Sequence, residues 1–126
     1  MASYVIIGSE TRVNADLQRL LDGDCVTFGR YPGRRVMETL AGTCAAVFVT
    51  ATPAEESIAI VGYVSAHFPE LPVLCAGALW SCGEQMRALA SGASAYLGYP
   101  IVPACLTDQL LRSGCSSASI PEASGR

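Results

Sequence analysis

Residues capable of acid–base, nucleophilic or metal chemistry are few in this sequence and widely spaced. The 126 residues include no lysine, because all eight cationic residues are arginine, and the only histidine is His67. Six cysteines lie far apart, without a C-x-x-C pair: Cys25, Cys44, Cys75, Cys82, Cys105 and Cys115. This spacing does not suit a zinc site, and His67, at a predicted helix end, is remote from any cysteine that could act with it. We expect reduced, buried thiols, and neither a metal, a cofactor nor an enzymatic activity.

The composition indicates one compact domain. The chain is 51% hydrophobic and 15% charged, with a net charge of −3, so it can bury a core but has no basic stripe for a nucleic-acid backbone. No apolar run approaches the roughly 20 residues of a membrane span, and the first residues lack the basic region of a signal peptide. We expect a cytoplasmic domain that contacts neither a membrane nor nucleic acid directly.

Short apolar runs alternate with amphipathic segments along the chain. The runs predict buried strands at 4–7, 25–28, 45–49, 72–76 and 95–98. Apolar residues at helical spacing predict helices after each strand: a first one burying Val13, Leu17, Leu20 and Leu21, then 34–40, 52–68, 81–90, and a last one from 103 to before 114.

Two of these helices begin with capping signals. Thr52 and Glu55 have the spacing of a capping box, with Pro53 as a preset first helical residue. Ser81 and Glu84 have the same spacing at the start of the fourth helix. Both pairs predict that a hydroxyl side chain caps the helix.

Five strands that alternate with five helices predict a three-layer, doubly wound α/β fold with a parallel sheet. For five strands the flavodoxin-like order 2-1-3-4-5 is the common solution, and its functional site lies at the carboxyl ends of the first and third strands. We assign residues 1–114 to this domain. Residues 115–126 read as a disordered polar tail or linker, because they lack apolar periodicity.

Four segments carry a resemblance to a known family. They are "YVIIGSE", "AAVFVTATP", "LPVLCAGA" and "ALASGASAYLGYP". Together they resemble the receiver domain of bacterial response regulators, a part of two-component signal transduction, over residues 3 to 113. The resemblance implies a phosphorylation switch: an aspartate after the third strand accepts a phosphoryl group, two acidic residues hold magnesium, and a hydroxyl residue and a lysine contact the phosphoryl oxygens.

The positions that match this switch are all substituted. The acidic pair falls on Gly8 and Ser9, the aspartate on Thr50, the hydroxyl residue on Gly77 and the lysine on Tyr99. Glu10, beside the pair, could supply one carboxylate, which is too few for a good magnesium site. The resemblance therefore points to a pseudo-receiver, a receiver fold without phosphotransfer.

This interpretation leaves two hypotheses for function. The first is a phosphorylation-independent interaction domain that binds a protein partner or a second copy through the fourth helix, fifth strand and fifth helix, with Trp80, Arg87, Tyr96 and Tyr99 as candidate contacts. The alternative is a sensor for a small ligand or anion in the degenerate pocket formed by Gly8, Ser9, Glu10, Thr50, Gly77 and Tyr99. In either case we expect the Tyr99 ring to plug the pocket and its hydroxyl to form a hydrogen bond.

Some residues keep two interpretations. Thr50 could be phosphorylated by a kinase or could bond to nearby backbone. Trp80 and Tyr96 could each be contact residues or packing residues. The cluster Arg30, Tyr31, Arg34 and Arg35 could bind an anion or an acidic partner, or could be the solvated start of a helix.

Overall fold

The computed structural model describes residues 2–78 and 80–113, in which five strands alternate with five helices. The strands are β1 (Ala2–Ile7), β2 (Gly23–Phe28), β3 (Ala46–Val49), β4 (Val73–Gly77) and β5 (Ala95–Gly98). The helices are α1 (Thr11–Leu20), α2 (Arg34–Ala41), α3 (Ala54–His67), α4 (Cys82–Ser91) and α5 (Pro103–Arg112). Every element that the sequence predicts is present, with ends displaced by one or two residues. The predicted tail, 115–126, lies outside the described residues.

The strands form one parallel sheet in the order β2-β1-β3-β4-β5, which confirms the predicted flavodoxin-like topology. The register pairs Ile7 of β1 with Val49 of β3. At the β5 side of the sheet, the register pairs Gly77 of β4 with Gly98 of β5. Because parallel strands end at one edge of the sheet, the residues that follow β1, β3, β4 and β5 are brought together there.

Two hydrophobic cores lie on the two faces of the sheet. One joins Tyr4 and Phe48 to Leu17 of α1 and Leu106 of α5. The other packs alternate strand residues against α2, α3 and α4, with Met37 and Val61 fully buried. Strands buried on both faces explain why their sequences are continuous apolar runs.

One predicted cap is confirmed and the other is wrong. Ser81 and Glu84 form the complete capping box at α4: the Ser81 hydroxyl accepts from the Glu84 amide at 3.1 Å, and the Glu84 carboxylate accepts from the Ser81 amide at 2.9 Å. At α3 the cap residue is Pro53 and no side chain caps the helix. The Thr52 hydroxyl instead donates to Glu10, so a competing partner across the chain overrides the local signal.

The prediction of buried thiols holds only in part. Cys75 is buried in the sheet, whereas Cys25 and Cys44 are partly buried. Cys82 and Cys105 are exposed, because both lie on the solvent side of their helices, so the prediction was wrong for these two. No helix within the described ranges combines the length and apolarity needed to span a membrane.

Candidate functional site

Gly8 and Thr50 lie side by side where β1 and β3 end. The Thr50 amide donates to the Ile7 carbonyl at 2.7 Å, which continues the pairing of the two strands. A side chain at Gly8 would overlap the backbone and hydroxyl of Thr50, and the φ of Gly8, +151°, also disfavours any other residue. Thr50 has 0% exposure. The glycine therefore lets Thr50 close the end of the sheet, at the position that the resemblance matches to the phosphoacceptor.

Asn14 of α1 holds the Thr50 hydroxyl in this closed arrangement. Thr50 Oγ1 donates to Asn14 Oδ1 at 2.6 Å, and Asn14 Nδ2 donates to the Gly8 carbonyl at 3.1 Å. A carbonyl can only accept, so the amide nitrogen must face Gly8 and the amide oxygen must face Thr50. Asn14 is itself only 8% exposed. The space beside Gly8 and Thr50 is thus taken up by a hydrogen-bonded network of the chain's own atoms.

Asn14 is not among the predicted site residues, although its position in the sequence carries a signal. Asn14 lies three residues before Leu17 and seven before Leu21, on the stripe that α1 buries. A polar residue on a buried helical stripe needs a partner, since an unsatisfied buried amide is costly. That requirement could have marked Asn14 as part of the site.

The acidic side of the predicted pocket has one carboxylate. Ser9 is exposed, and Glu10 is partly buried, with its Oε2 accepting a 2.6 Å hydrogen bond from Thr52 Oγ1. Magnesium requires several hard oxygen ligands held around one point. The residues that the structure describes contain no group of three or more His, Cys, Asp or Glu side chains that could hold a metal ion. Glu10 ties the loop after β1 to the loop after β3.

At the end of β4, Trp80 fills the space beside Gly77. A Cβ atom on Gly77 would lie 2.6 Å from Trp80 Nε1, so the indole occupies the position that a side chain would need. Tyr96 of β5 packs on this indole, with ring centroids 5.0 Å apart. Its hydroxyl donates to the Gly77 carbonyl at 2.5 Å, and burial raises the pKa of Tyr96 above its ordinary value. Glycine, tryptophan and tyrosine therefore form one packed unit.

The contacts of Tyr99 differ from the predicted ones. It is partly buried and packs against the core between the sheet and helices α1 and α5. Its hydroxyl makes no hydrogen bond to any residue within 2–78 or 80–113. The side chains that meet at the ends of β1 and β3 are those of Thr50 and Asn14.

The α4 helix is fixed against α3 on one of its sides. Nη1 and Nη2 of Arg87 donate to the two carboxylate oxygens of Glu55, at 2.9 and 2.6 Å. This pairing lowers the pKa of Glu55. Ser65 of α3 also donates to the Gly92 carbonyl at the end of α4, at 3.2 Å. Arg87, a predicted contact of the interaction face, is thus paired with α3, and its role as a contact stays a prediction.

The opposite side of α4 is exposed and uncharged. Cys82, Met86 and Leu89 project away from Arg87 at helical spacing. With Tyr96 of β5 and the nearby residues of α5, they form a surface that we call the α4–β5–α5 face. Its members are Cys82, Met86, Leu89, Tyr96, Val102, Cys105 and Gln109.

Apolar side chains dominate this face. Met86 is 68% exposed, Leu89 45% and Val102 53%. Between β5 and α5 lies a cavity of about 240 Å³, bounded by Tyr96, Val102, Cys105 and Gln109 among others. Exposed apolar groups clustered on one face are typical of a surface that another molecule covers.

Comparison with known proteins gives a consistent picture of the fold. No protein-family model and no curated protein matches the sequence. Among solved structures, the chain is similar to a response regulator receiver domain protein from Clostridium thermocellum, with 17% identity and a TM-score of 0.75 over 90% of this chain and 94% of that one. It is also similar to the N-terminal signal receiver domain of a two-component system response regulator from Bacteroides fragilis, with 18% identity and a TM-score of 0.69 over 94% and 99%.

A third similar structure is a putative pilus assembly-related protein from Burkholderia pseudomallei, with 18% identity and a TM-score of 0.69 over 94% of this chain and 92% of that one. The agreement extends over nearly the whole length of each chain, and it includes the five-stranded sheet order that the sequence predicts. The protein has the fold of the response regulator receiver domain.

Proposed function

We propose that this chain is a pseudo-receiver, a phosphorylation-independent protein-interaction domain of a bacterial regulatory system in the cytoplasm. It has no enzymatic activity of its own, and it binds a protein partner or a second copy through the α4–β5–α5 face. The similarity of its fold to signal receiver domains of two-component systems supports the signalling role.

The closed state of Thr50 is the observation that carries this proposal. An acyl phosphate requires a carboxylate nucleophile that solvent and a phosphodonor can reach. Thr50 has no carboxylate, has 0% exposure, and already donates its hydroxyl to Asn14. The chain also lacks a lysine that could balance the charge of a phosphoryl group.

The second support is the packed unit of Gly77, Trp80 and Tyr96. The resemblance to receiver domains matches Tyr96 to an aromatic residue that turns inward on activation. Here Tyr96 is already bonded to the Gly77 carbonyl, and Trp80 covers the glycine. These contacts support the proposal that the α4–β5–α5 face needs no covalent signal.

The alternative, a ligand sensor in the degenerate pocket, loses the feature that suggested it. That hypothesis depended on the space left by the missing side chains of Gly8 and Gly77. Thr50 fills the first space and Trp80 fills the second. We therefore propose no ligand for this site.

Treatment with acetyl phosphate and magnesium tests phosphorylation independence. Intact-mass spectrometry of the full chain should show no added phosphoryl group, while a receiver domain with the complete set of acidic residues and lysine, treated in parallel, should gain one. A phosphoryl group on Thr50 or on any aspartate would refute the proposal.

Two matched substitutions test the α4–β5–α5 face. Leu89 is 45% exposed on this face, and Leu111 is 40% exposed on α5, on the side of the helix away from Cys105 and Gln109. Leu89→Glu should abolish self-association, measured by analytical ultracentrifugation, or capture of partners from the native host. Leu111→Glu should leave both unchanged. Equal behaviour of the two variants would show that binding uses another surface.

A further inference from the structure

A second apolar groove lies on the opposite side of α3, between that helix and the start of α2. It has a volume of about 420 Å³ and is lined by Tyr31, Gly33, Arg34, Ala59, Ile60 and Tyr63. The groove is open to solvent along one side. It shares no residue with the α4–β5–α5 face or with the closed site at Thr50.

Stacked rings hold the wall of this groove in place. Tyr63 is 39% exposed, and its ring packs on neighbouring rings at both sides. The Tyr31 ring meets it edge-on at a centroid distance of 5.1 Å, and the His67 ring lies against it at 4.1 Å. A ring that is already fixed loses little conformational entropy on binding, which makes it a good anchor for a partner.

Three arginines occur near the start of α2, next to lining residues of the groove in the sequence. Arg34 lines the groove, exposed Arg35 follows it in the first helical turn, and exposed Arg30 precedes Tyr31. Arg34 pairs with Glu38 at 3.0 Å, whereas Arg30 and Arg35 have no ion pair within the described part of the chain.

The backbone at the start of α2 also favours a negatively charged partner. The cap residue of α2, Gly33, has no side chain to accept from the first amides, and the first turn of the helix contains no acidic residue. Free amides at a helix start attract negative charge, whereas arginines there oppose the helix dipole. An anionic group of a partner would satisfy the amides and the arginines together.

We propose that this groove binds an acidic peptide segment of a partner protein, which places one aromatic or aliphatic side chain in the groove, against Tyr31, Ile60 and Tyr63. A small molecule would be poorly enclosed, because sites for such ligands bury most of the ligand surface and this groove is open. The acidic residues of the segment lie toward Arg30 and Arg35. They lie away from Glu56, which is one helical turn before Ile60 on α3.

Selection of random peptides displayed on phage, with the full chain as the target, tests the proposal. Enriched peptides should contain an aromatic or large aliphatic residue flanked by aspartate or glutamate. A synthetic copy of one such peptide, followed by fluorescence anisotropy, should bind at least about tenfold more weakly to Tyr63→Ala and to Arg35→Glu. Its affinity should fall as salt is added. Glu56→Gln should bind as well as the native chain or more tightly.

The controls separate this groove from the proposed function. Leu89→Glu and Leu111→Glu should bind the peptide like the native chain, and thermal unfolding of each variant confirms that it folds. Arg35 is exposed, so its substitution reports on binding even if Tyr63→Ala is unstable. Lack of enrichment, enrichment of peptides without acidic residues, or binding that survives both Tyr63→Ala and Arg35→Glu would overturn the proposal.

Discussion

Replacing Thr50 by valine removes one hydroxyl and almost no volume, so it isolates the hydrogen bond that Thr50 makes to Asn14 at the ends of β1 and β3. Without that hydroxyl, Asn14 Oδ1 loses its donor. Water cannot replace the donor, because Thr50 is 0% and Asn14 8% exposed. A buried acceptor left without a partner costs about 1–3 kcal/mol. We expect Thr50→Val to lower the free energy of unfolding by that amount.

A double-mutant cycle makes the test specific to the pair. Asn14→Ala leaves two groups without a hydrogen-bond partner, the Thr50 hydroxyl and the Gly8 carbonyl. It should lower the free energy of unfolding by about 2–5 kcal/mol. Once Asn14 is gone, the Thr50 hydroxyl has nothing to bond, and removing it should cost little more. The double variant should therefore lose less than the sum of the single losses, by about 1 kcal/mol or more.

Urea unfolding, followed by far-UV circular dichroism and by the fluorescence of the only tryptophan, Trp80, gives the free energies. The slope with urea should not change, because the surface exposed on unfolding stays the same. Thr27→Val is the matched control: Thr27 is exposed and its hydroxyl accepts from Gln18 at 2.8 Å, so the variant should stay within about 0.5 kcal/mol of the native chain. A Thr50→Val variant as stable as this control, or strictly additive losses, would refute the closed network.

The other predictions concern the packed unit and the thiols. Gly77→Ala places a Cβ 2.6 Å from Trp80 Nε1, so the indole must move, which should cost about 1–3 kcal/mol and shift Trp80 emission to longer wavelength; unchanged emission would contradict the packing. Among the described cysteines, a maleimide at pH 8 should label exposed Cys82 and Cys105 first. Cys75, whose pKa burial raises to about 12, should react only after unfolding, and rapid labelling of Cys75 in peptide maps of the folded chain would contradict its burial.

The fold could be predicted from the sequence because its signals are local and mutually consistent. Continuous apolar runs such as 45–49 identify strands buried on both faces, and the alternation with helices then leaves few topologies. Ser81 and Glu84 identify a helix start correctly, because both partners of that capping box belong to one short segment. These features depend on neighbours within a few residues.

The site was harder to predict because its contacts join distant parts of the chain. Thr50 and Asn14 are 36 positions apart, and no local pattern shows that they meet. Thr52 has the spacing of a cap, yet its hydroxyl finds Glu10, 42 positions away. The substituted residues were therefore identified by their types, whereas the groups that fill the space they left emerged only from the packing.

The network of Thr50, Gly8 and Asn14 has a consequence for control in the cell under the function that we propose. A pseudo-receiver of this kind would not be turned on or off by a kinase and a phosphatase, so its effect would follow its abundance. Transcription, translation and proteolysis then set the strength of the signal, and gene dosage becomes the variable to which a pathway built on this chain responds.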